Sequence, residues 1–175
     1  MSQADAVPIV SIVGKSDVGK TTLMEKLIRE LKARGYRVAT IKHHVHWFEI
    51  DQPGKDTWRH AQAGSDVVVI AAPNRIALVE RLERELSIDE IAGRIGKVDI
   101  ILTEGYKRGD KPKIEVSRRE RGRELLCTED ELLALATDEP YPELAGVPQF
   151  HLDDAAGIVD LLEQRFLRRR PAGNG

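Results

Sequence analysis

The sequence predicts a single α/β domain over residues 1–175, built on a mostly parallel sheet flanked by helices and carrying an antiparallel strand extension. Three observations lead there. Short apolar runs that suit buried strands alternate with amphipathic stretches of helical period. Residues 8–13 run through a turn bracketed by Gly14 and Gly19 straight into one of those helices. Neither an internal repeat nor a linker-like stretch divides the chain.

The elements follow in order. Residues 7–13 read as a buried strand, and residues 20–34 as a helix with Leu23, Met24, Leu27, Ile28 and Leu31 on one face and Gly35 as its stop. Residues 36–42 are the next strand, so the first fifty residues form a strand–helix–strand unit with parallel strands. An irregular stretch follows from His43, and Asp56 reads as the N-cap of a short helix ended by Gly64. Residues 66–71 and 75–81 flank the turn signal Ala72-Pro73-Asn74 and are expected to pair antiparallel. Ser87 caps a helix through Ile95. Residues 98–103 form a central parallel strand, 113–116 a shorter one, 132–137 another buried one and 148–151 a short last one. Asp153 opens a final helix that buries Ile158, Leu161, Leu162 and Phe166, and residues 171–175 fray.

Composition narrows the function. At 175 residues and 41% hydrophobic, the chain has the size of an ordinary domain, which buries roughly 70% of the surface its unfolded form exposes. The one cysteine, Cys127, excludes an internal disulfide framework, and the lack of a basic-then-apolar leader leads to a cytoplasmic expectation. No apolar run approaches the roughly 18 residues of a membrane helix. A formal net charge of −2 gives no global attraction to nucleic acid or to anionic lipid. Arg118, Arg119, Arg121 and Arg123 alternate with Glu115, Glu120 and Glu124, which reads as a solvated charged surface. Arg168, Arg169 and Arg170 read as a helix-end cap and tail.

The stretch Gly14-Lys15-Ser16-Asp17-Val18-Gly19-Lys20-Thr21-Thr22 carries the chemistry. Its glycine spacing, between strand and amphipathic helix, is that of a phosphate-binding P-loop. The backbone amides of residues 15–20 line a concavity, and Gly14 and Gly19 let the chain turn without Cβ clashes. Lys20 brings a point charge to the β- and γ-phosphates, the Thr21 hydroxyl is a ligand for Mg²⁺, and the helix N-terminus adds its dipole. Such a site takes an acid from a neighbouring strand end. Asp99 and Glu104 lie at opposite ends of one strand, roughly 17 Å apart at strand rise. Ligands gather beyond the carboxyl ends of parallel strands, which selects Glu104 and leaves Asp99 to cap or pair at the other edge.

With this loop, Ile41-Lys42-His43-His44-Val45-His46, Asp51-Gln52-Pro53-Gly54-Lys55-Asp56-Thr57, Ala63-Gly64 and Leu102-Thr103-Glu104-Gly105-Tyr106-Lys107, the chain resembles the molybdopterin-guanine dinucleotide biosynthesis adaptor (MobB) family of P-loop NTPases over about residues 8–165. The resemblance implies a GTP-binding protein with weak intrinsic hydrolysis that assists a molybdopterin guanylyltransferase in making molybdopterin guanine dinucleotide. It also implies a homodimer held by the strands at 66–81. By motif position, Gly14, Gly19, Lys20, Thr21 and Thr22 take the phosphate role, Glu104 the acidic one, and His43, His46, Asp51, Pro53, Gly54, Lys55 and Asp56 a second segment facing the same cleft. Histidines in that segment would contact phosphate or molybdopterin rather than zinc, since no cysteine or carboxylate pattern accompanies them.

Two departures stand out. Val45 and Trp47 replace a histidine and an acid of the family's pattern. Lys15 resembles the signature lysine of dimeric ATPases related to the nitrogenase iron protein, whereas Ser16 and Asp17 are not the glycines expected there. Asp17 is tolerable beside a polyanion if it faces solvent or pairs with Lys15. A small-molecule kinase using Arg118–Arg123 as a lid, and a dimerisation-controlled ATPase switch using Lys15, are the alternatives. The guanine-reading Asn-Lys-x-Asp tetrapeptide is absent, which leaves Asp138, at the carboxyl end of the strand 132–137, either as the reader of guanine N1–H and its 2-amino group or as a turn acid.

Overall fold

A computed structural model describes residues 6–43 and 49–167. The readings placed on His44, Val45, His46, Trp47, Arg168–Arg170 and the tail lie outside those residues. The chain divides into two compact units, residues 1–43 with 92–175, and residues 44–91.

The first unit holds a six-stranded sheet. Its strands are β1 (Ile9–Val13), β2 (Val38–Lys42), β5 (Ile100–Glu104), β6 (Lys113–Ser117), β7 (Leu132–Thr137) and β8 (Gln149–His151), in the order β2-β5-β1-β6-β7-β8. Every neighbouring pair is parallel. Parallel sheets are buried on both faces, and all five residues of β1 are buried accordingly. One face carries Val10, Ile12, Ile100, Leu102, Ile114, Val116, Ala134 and Ala136. These pack with Leu23, Met24, Leu27 and Leu31 of α1 (Lys20–Ala33) and Ile158, Val159, Leu161 and Leu162 of α4 (Ala155–Arg165). The other face is more polar. There the Thr103 hydroxyl donates to Ser11 Oγ at 2.9 Å, and Ser117 and Tyr141 share a hydroxyl contact of 2.6 Å. Each buried hydroxyl thus has the partner its desolvation requires.

Gly35 ends α1 as expected, with φ 83°, and the stop is a double backbone cap: Gly35 N–H donates to Lys32 O at 3.0 Å and Tyr36 N–H to Leu31 O at 3.0 Å. Tyr36 is buried with Leu31 in the same core. The start of α4 differs by one position from the sequence reading. Asp154 is the N-cap and accepts from Gly157 N–H, while Asp153 reaches Lys26 Nζ on α1. Two adjacent aspartates compete for one cap, and the partner on α1 decides between them. Phe166 packs against the core only partly buried. Among the described residues this unit also has 3-10 turns at Arg119–Arg121, Glu129–Glu131 and Pro142–Leu144.

In the second unit, α2 (Asp56–Gln62) starts from Lys55 in extended conformation, so Asp56 occupies the first turn and not the cap. Strands β3 (Val67–Ala72) and β4 (Arg75–Glu80) pair antiparallel across Pro73-Asn74, with Ala72 opposite Arg75 and Val67 opposite Glu80. They form a two-stranded sheet of their own and do not extend the six-stranded one. The turn signal identifies hairpin partners, but nothing in it selects a sheet edge. Helix α3 (Ile88–Arg94) opens on a capping box, in which Ser87 Oγ accepts from Glu90 N–H and the Glu90 carboxylate from Ser87 N–H. No helix among the described residues is long and apolar enough to cross a membrane.

Candidate functional site

The strand order reverses at β1: β5 and β2 lie on one side, β6 to β8 on the other. In open parallel sheets the carboxyl side of that switch point is where ligands bind, and the loop 14–22 occupies it. Gly14 adopts φ 146°, and a Cβ there would lie 2.5 Å from Val116 O of β6. Gly19 adopts φ 100° and is the N-cap of α1. Asp17 is left-handed at φ 59°, a conformation aspartate tolerates, and it is exposed. The first turn of α1 holds Lys20, Thr21 and Thr22 and no acid, which leaves the amide dipoles of this N-terminus facing outward.

The loop and the end of β5 converge on a cleft of about 510 Å³ lined by Ser16, Asp17, Gly19, Lys20, Thr21 and Glu104. Thr21 Oγ1 lies 3.1 Å from both Glu104 carboxylate oxygens. Lys20 Nζ donates to Lys15 O at 2.6 Å. Burial lowers the Lys20 pKa, offset in part by Glu104 and Asp17 and reinforced by Lys107 and Lys42. Glu104 is the last residue of β5, only 16% exposed in its side chain, with Lys42 Nζ at 3.8 Å. Hydroxyl and carboxylate oxygens are the hard ligands Mg²⁺ takes, and two such ligands at right angles around an octahedral ion sit about 2.9 Å apart, close to the separation seen here. These residues therefore fit a magnesium ion that draws its remaining ligands from phosphate and water.

Asp99 is at the opposite edge, as the sequence reading expects, and its carboxylate accepts from Arg37 N–H at 2.6 Å. His43 leaves β2 beside Glu104, donating its N–H to Glu104 O at 3.0 Å, and its ring lies 4.4 Å from that of Tyr106. Gly105 (φ 107°) and Tyr106 (φ 48°) make this turn, and a Cβ on Gly105 would come 3.2 Å from His43 Cβ. Asp51 and Lys55 belong to the second unit. There Asp51 accepts from Gln52 N–H at 2.9 Å, and Lys55 N–H donates to Gln52 O at 3.2 Å.

Asp138 follows β7 at the same carboxyl edge as the loop. Its Oδ1 accepts from Arg119 N–H at 2.9 Å, and it borders a cleft of about 250 Å³ with Pro140, Gln149, Phe150 and His151. The arginine cluster is not the uniformly solvated surface its composition suggests. Arg118 is half-buried with Nε 2.8 Å from Val18 O, and Arg123 stacks 4.3 Å over the Tyr141 ring while reaching Glu143. Glu115 is buried at 1% exposure and accepts from Leu126 N–H at 2.7 Å and Cys127 N–H at 3.0 Å. Burial first, then Glu115, pushes the Cys127 thiol up to about 12. Lys15 turns to Arg121 O at 3.3 Å and Glu124 at 3.8 Å, so it does not pair with Asp17.

Sequence reasoning quoted Lys42 and Tyr106 within motif runs and gave Arg118 only as part of a solvated cluster or a kinase lid, so it assigned none of the three its contact here. The signal for Lys42 was its place at the end of β2 beside Glu104, and for Arg118 the first position beyond the strand next to β1.

Comparison with known proteins identifies the family. The family described as MobB, molybdopterin guanine dinucleotide synthesis protein B, matches residues 9–138. A molybdopterin-guanine dinucleotide biosynthesis adapter protein of Haemophilus influenzae is 40% identical over 136 residues, 77% of this chain and 76% of its own. That of Escherichia coli is 34% identical over 168 residues, 93% of this chain and 95% of its own. The crystal structure of Bacillus subtilis MobB superposes with a TM-score of 0.71 at 28% identity, covering 93% of this chain and 99% of that one. The chain therefore belongs to the MobB family.

Proposed function

We propose that this protein is a GTP-binding adapter of molybdenum-cofactor biosynthesis, which assists the guanylyltransferase that joins GMP to molybdopterin and hydrolyses GTP only weakly. The observation that carries the nucleotide part is the convergence of Lys20, Thr21 and Glu104 at the carboxyl end of β1 and β5. The adapter part rests on the family and on what its relatives are named for.

In this reading the amides of residues 15–20 and the N-terminus of α1 hold the phosphates. Lys20 moves from Lys15 O to the β- and γ-phosphates, where its positive charge offsets charge that grows during transfer. Thr21 and Glu104 would hold magnesium, which when bound would supply electrostatic neutralisation of the phosphate oxygens. Glu104 orients the Thr21 hydroxyl through its two 3.1 Å contacts. Guanine is read by Asp138 in the cleft with Pro140 and Phe150, since a carboxylate accepts from the adjacent N1–H and 2-amino group, a pair of donors that adenine does not offer.

The protein acts as a cytoplasmic homodimer through the β3–β4 hairpin. Val69, Ile70, Ile76 and Leu78 are 48–69% exposed there, and an isolated two-stranded hairpin is marginal in water. Lys15, engaged by Arg121 O of its own chain, supports a role in shaping its own loop over one across a dimer.

Isothermal titration with a nonhydrolysable GTP analogue tests the reading. Lys20→Ala is expected to weaken binding and to slow turnover by about 10²-fold or more while the fold survives. Unchanged affinity and turnover would remove Lys20 from the site. Co-purification with a molybdopterin guanylyltransferase tests the adapter part, and its failure with both purified proteins would refute it.

A further inference from the structure

The segment 118–124 touches the phosphate loop at two separate points, and its first residue bonds a carbonyl of that loop. Strand β6 runs parallel to β1 with Val13 opposite Glu115, so Val116 and Ser117 continue past the end of β1. The next residue, Arg118, is thereby carried alongside the loop. Its Nε donates to Val18 O at 2.8 Å, and its guanidinium packs on Gly19, with Nη2 3.4 Å from the position a Cβ would occupy there. Beyond it, Arg119 N–H is fixed to Asp138, and Arg121 O takes Lys15 Nζ. Arg118 thus lies between strand β6 and a segment anchored at two later points.

A peptide group is planar and trans, so its C=O and the following N–H point in opposite directions. When Arg118 Nε fixes the Val18 carbonyl toward β6, it also fixes the Gly19 N–H toward the other side of that peptide. Gly19, with no Cβ and φ 100°, has little intrinsic preference to hold this orientation by itself. We propose that Arg118 is a positioning residue of the nucleotide site, which sets the Val18–Gly19 peptide so that the Gly19 amide is presented to phosphate before the nucleotide arrives. The inference rests on the phosphate-binding reading of the loop, which it extends from the residues that meet phosphate to the one that orients the loop.

The role belongs to the donor at the ε position and not to the charge, and side-chain chemistry separates the two. Glutamine places its amide nitrogen the same number of bonds from the backbone as arginine Nε, as a neutral donor. Methionine keeps the length without a donor. Lysine keeps the charge without a donor at that position. The experiment compares Arg118→Met, Arg118→Gln and Arg118→Lys by the ¹⁵N–¹H resonance of Gly19 in ligand-free protein and by titration with GTP and pyrophosphate. The spectra also report whether each variant is folded.

Arg118→Met is expected to shift the Gly19 amide and to weaken GTP by about tenfold, the scale of one hydrogen bond from a charged donor. Arg118→Gln is expected to recover the resonance and most of the affinity. An unmoved Gly19 amide in Arg118→Met would overturn the proposal. So would recovery by lysine without glutamine, which assigns the effect to charge, or recovery by neither, which assigns it to the stacked guanidinium plane. If the unsubstituted protein bound neither GTP nor pyrophosphate, the nucleotide reading would fall, and the ligand-free resonances would still decide whether Arg118 sets this peptide.

Discussion

The strands on either side of β1 each bring a glutamate to the level of its last residues, Glu104 on β5 opposite Ile12 and Glu115 on β6 opposite Val13. The two share residue type, height in the sheet and nearness to the loop, and they end up in different roles. Glu115 is buried and accepts from the amides of Leu126 and Cys127, so both its oxygens are taken by backbone donors. Glu104 opens on the cleft and meets Thr21 and Lys42, a hydroxyl and a cation that a ligand can rearrange. What separates a structural acid from a functional one here is whether its partners are backbone groups of a folded segment or side chains lining a cleft.

The largest expected effect breaks that comparison on the structural side. Glu115→Ala leaves the partly buried Leu126 amide and the buried Cys127 amide without an acceptor, which costs roughly 2–5 kcal/mol. Glu104→Ala leaves partners that are themselves exposed, Thr21 and Lys42, able to turn to water, and is expected to cost less than about 1 kcal/mol. Urea denaturation of the two variants checks this. Equal losses would mean that the two acids differ only in what they face and not in what they hold up.

Much of the frame is legible in the sequence because it rests on periodicity and on glycine. Buried runs such as 9–13 and 100–103 have the composition of central parallel strands, and the glycines at 14, 19 and 35 stand where positive φ is used. The loop motif and the edge rule for parallel strands also separate Asp99 from Glu104 before any coordinates. The fate of Glu115 is not legible. In the run Lys113-Ile114-Glu115-Val116 it looks like one more member of a charged cluster, and its partners are backbone amides eleven and twelve residues away, which have no side-chain signature. Arg118 is hidden for the same reason, since it bonds a carbonyl. The hairpin shows the converse limit: its residues announce a strand pair, while the β3 and β4 side chains stay largely exposed.

On the functional side, Glu104→Gln keeps volume and removes the charge that faces Thr21. It is expected to leave magnesium-free nucleotide binding close to normal and to lower GTP hydrolysis by about 10²-fold, an effect of roughly 2.7 kcal/mol on the barrier. Asp99→Asn, at the far end of the same strand, is expected to leave hydrolysis unchanged, because its carboxylate serves Arg37 N–H. Steady-state phosphate release from both variants decides it, and a greater loss with Asp99→Asn would place the working edge of β5 at its other end.

Asp138 sharpens the comparison because it lies between the two cases. One oxygen accepts a backbone amide, Arg119 N–H, as Glu115 does, yet the residue is exposed at the carboxyl edge beside a cleft, as Glu104 is. If its backbone contact were its whole role, Asp138→Ala would loosen residues 118–124 and weaken all nucleotides alike, since that segment also holds Val18 O through Arg118. If it reads guanine, the loss falls on GTP by roughly 1.5–3 kcal/mol, the scale of hydrogen bonds to a charged group, and ATP is left almost unchanged. Asp138→Asn separates the parts further, because the amide oxygen still accepts from Arg119 N–H while the side chain can no longer accept both guanine donors. Paired titrations of GTP and ATP into the two variants are expected to show a GTP-selective loss in each. An equal loss for both nucleotides in Asp138→Ala, relieved in Asp138→Asn, would assign Asp138 to the structural side with Glu115.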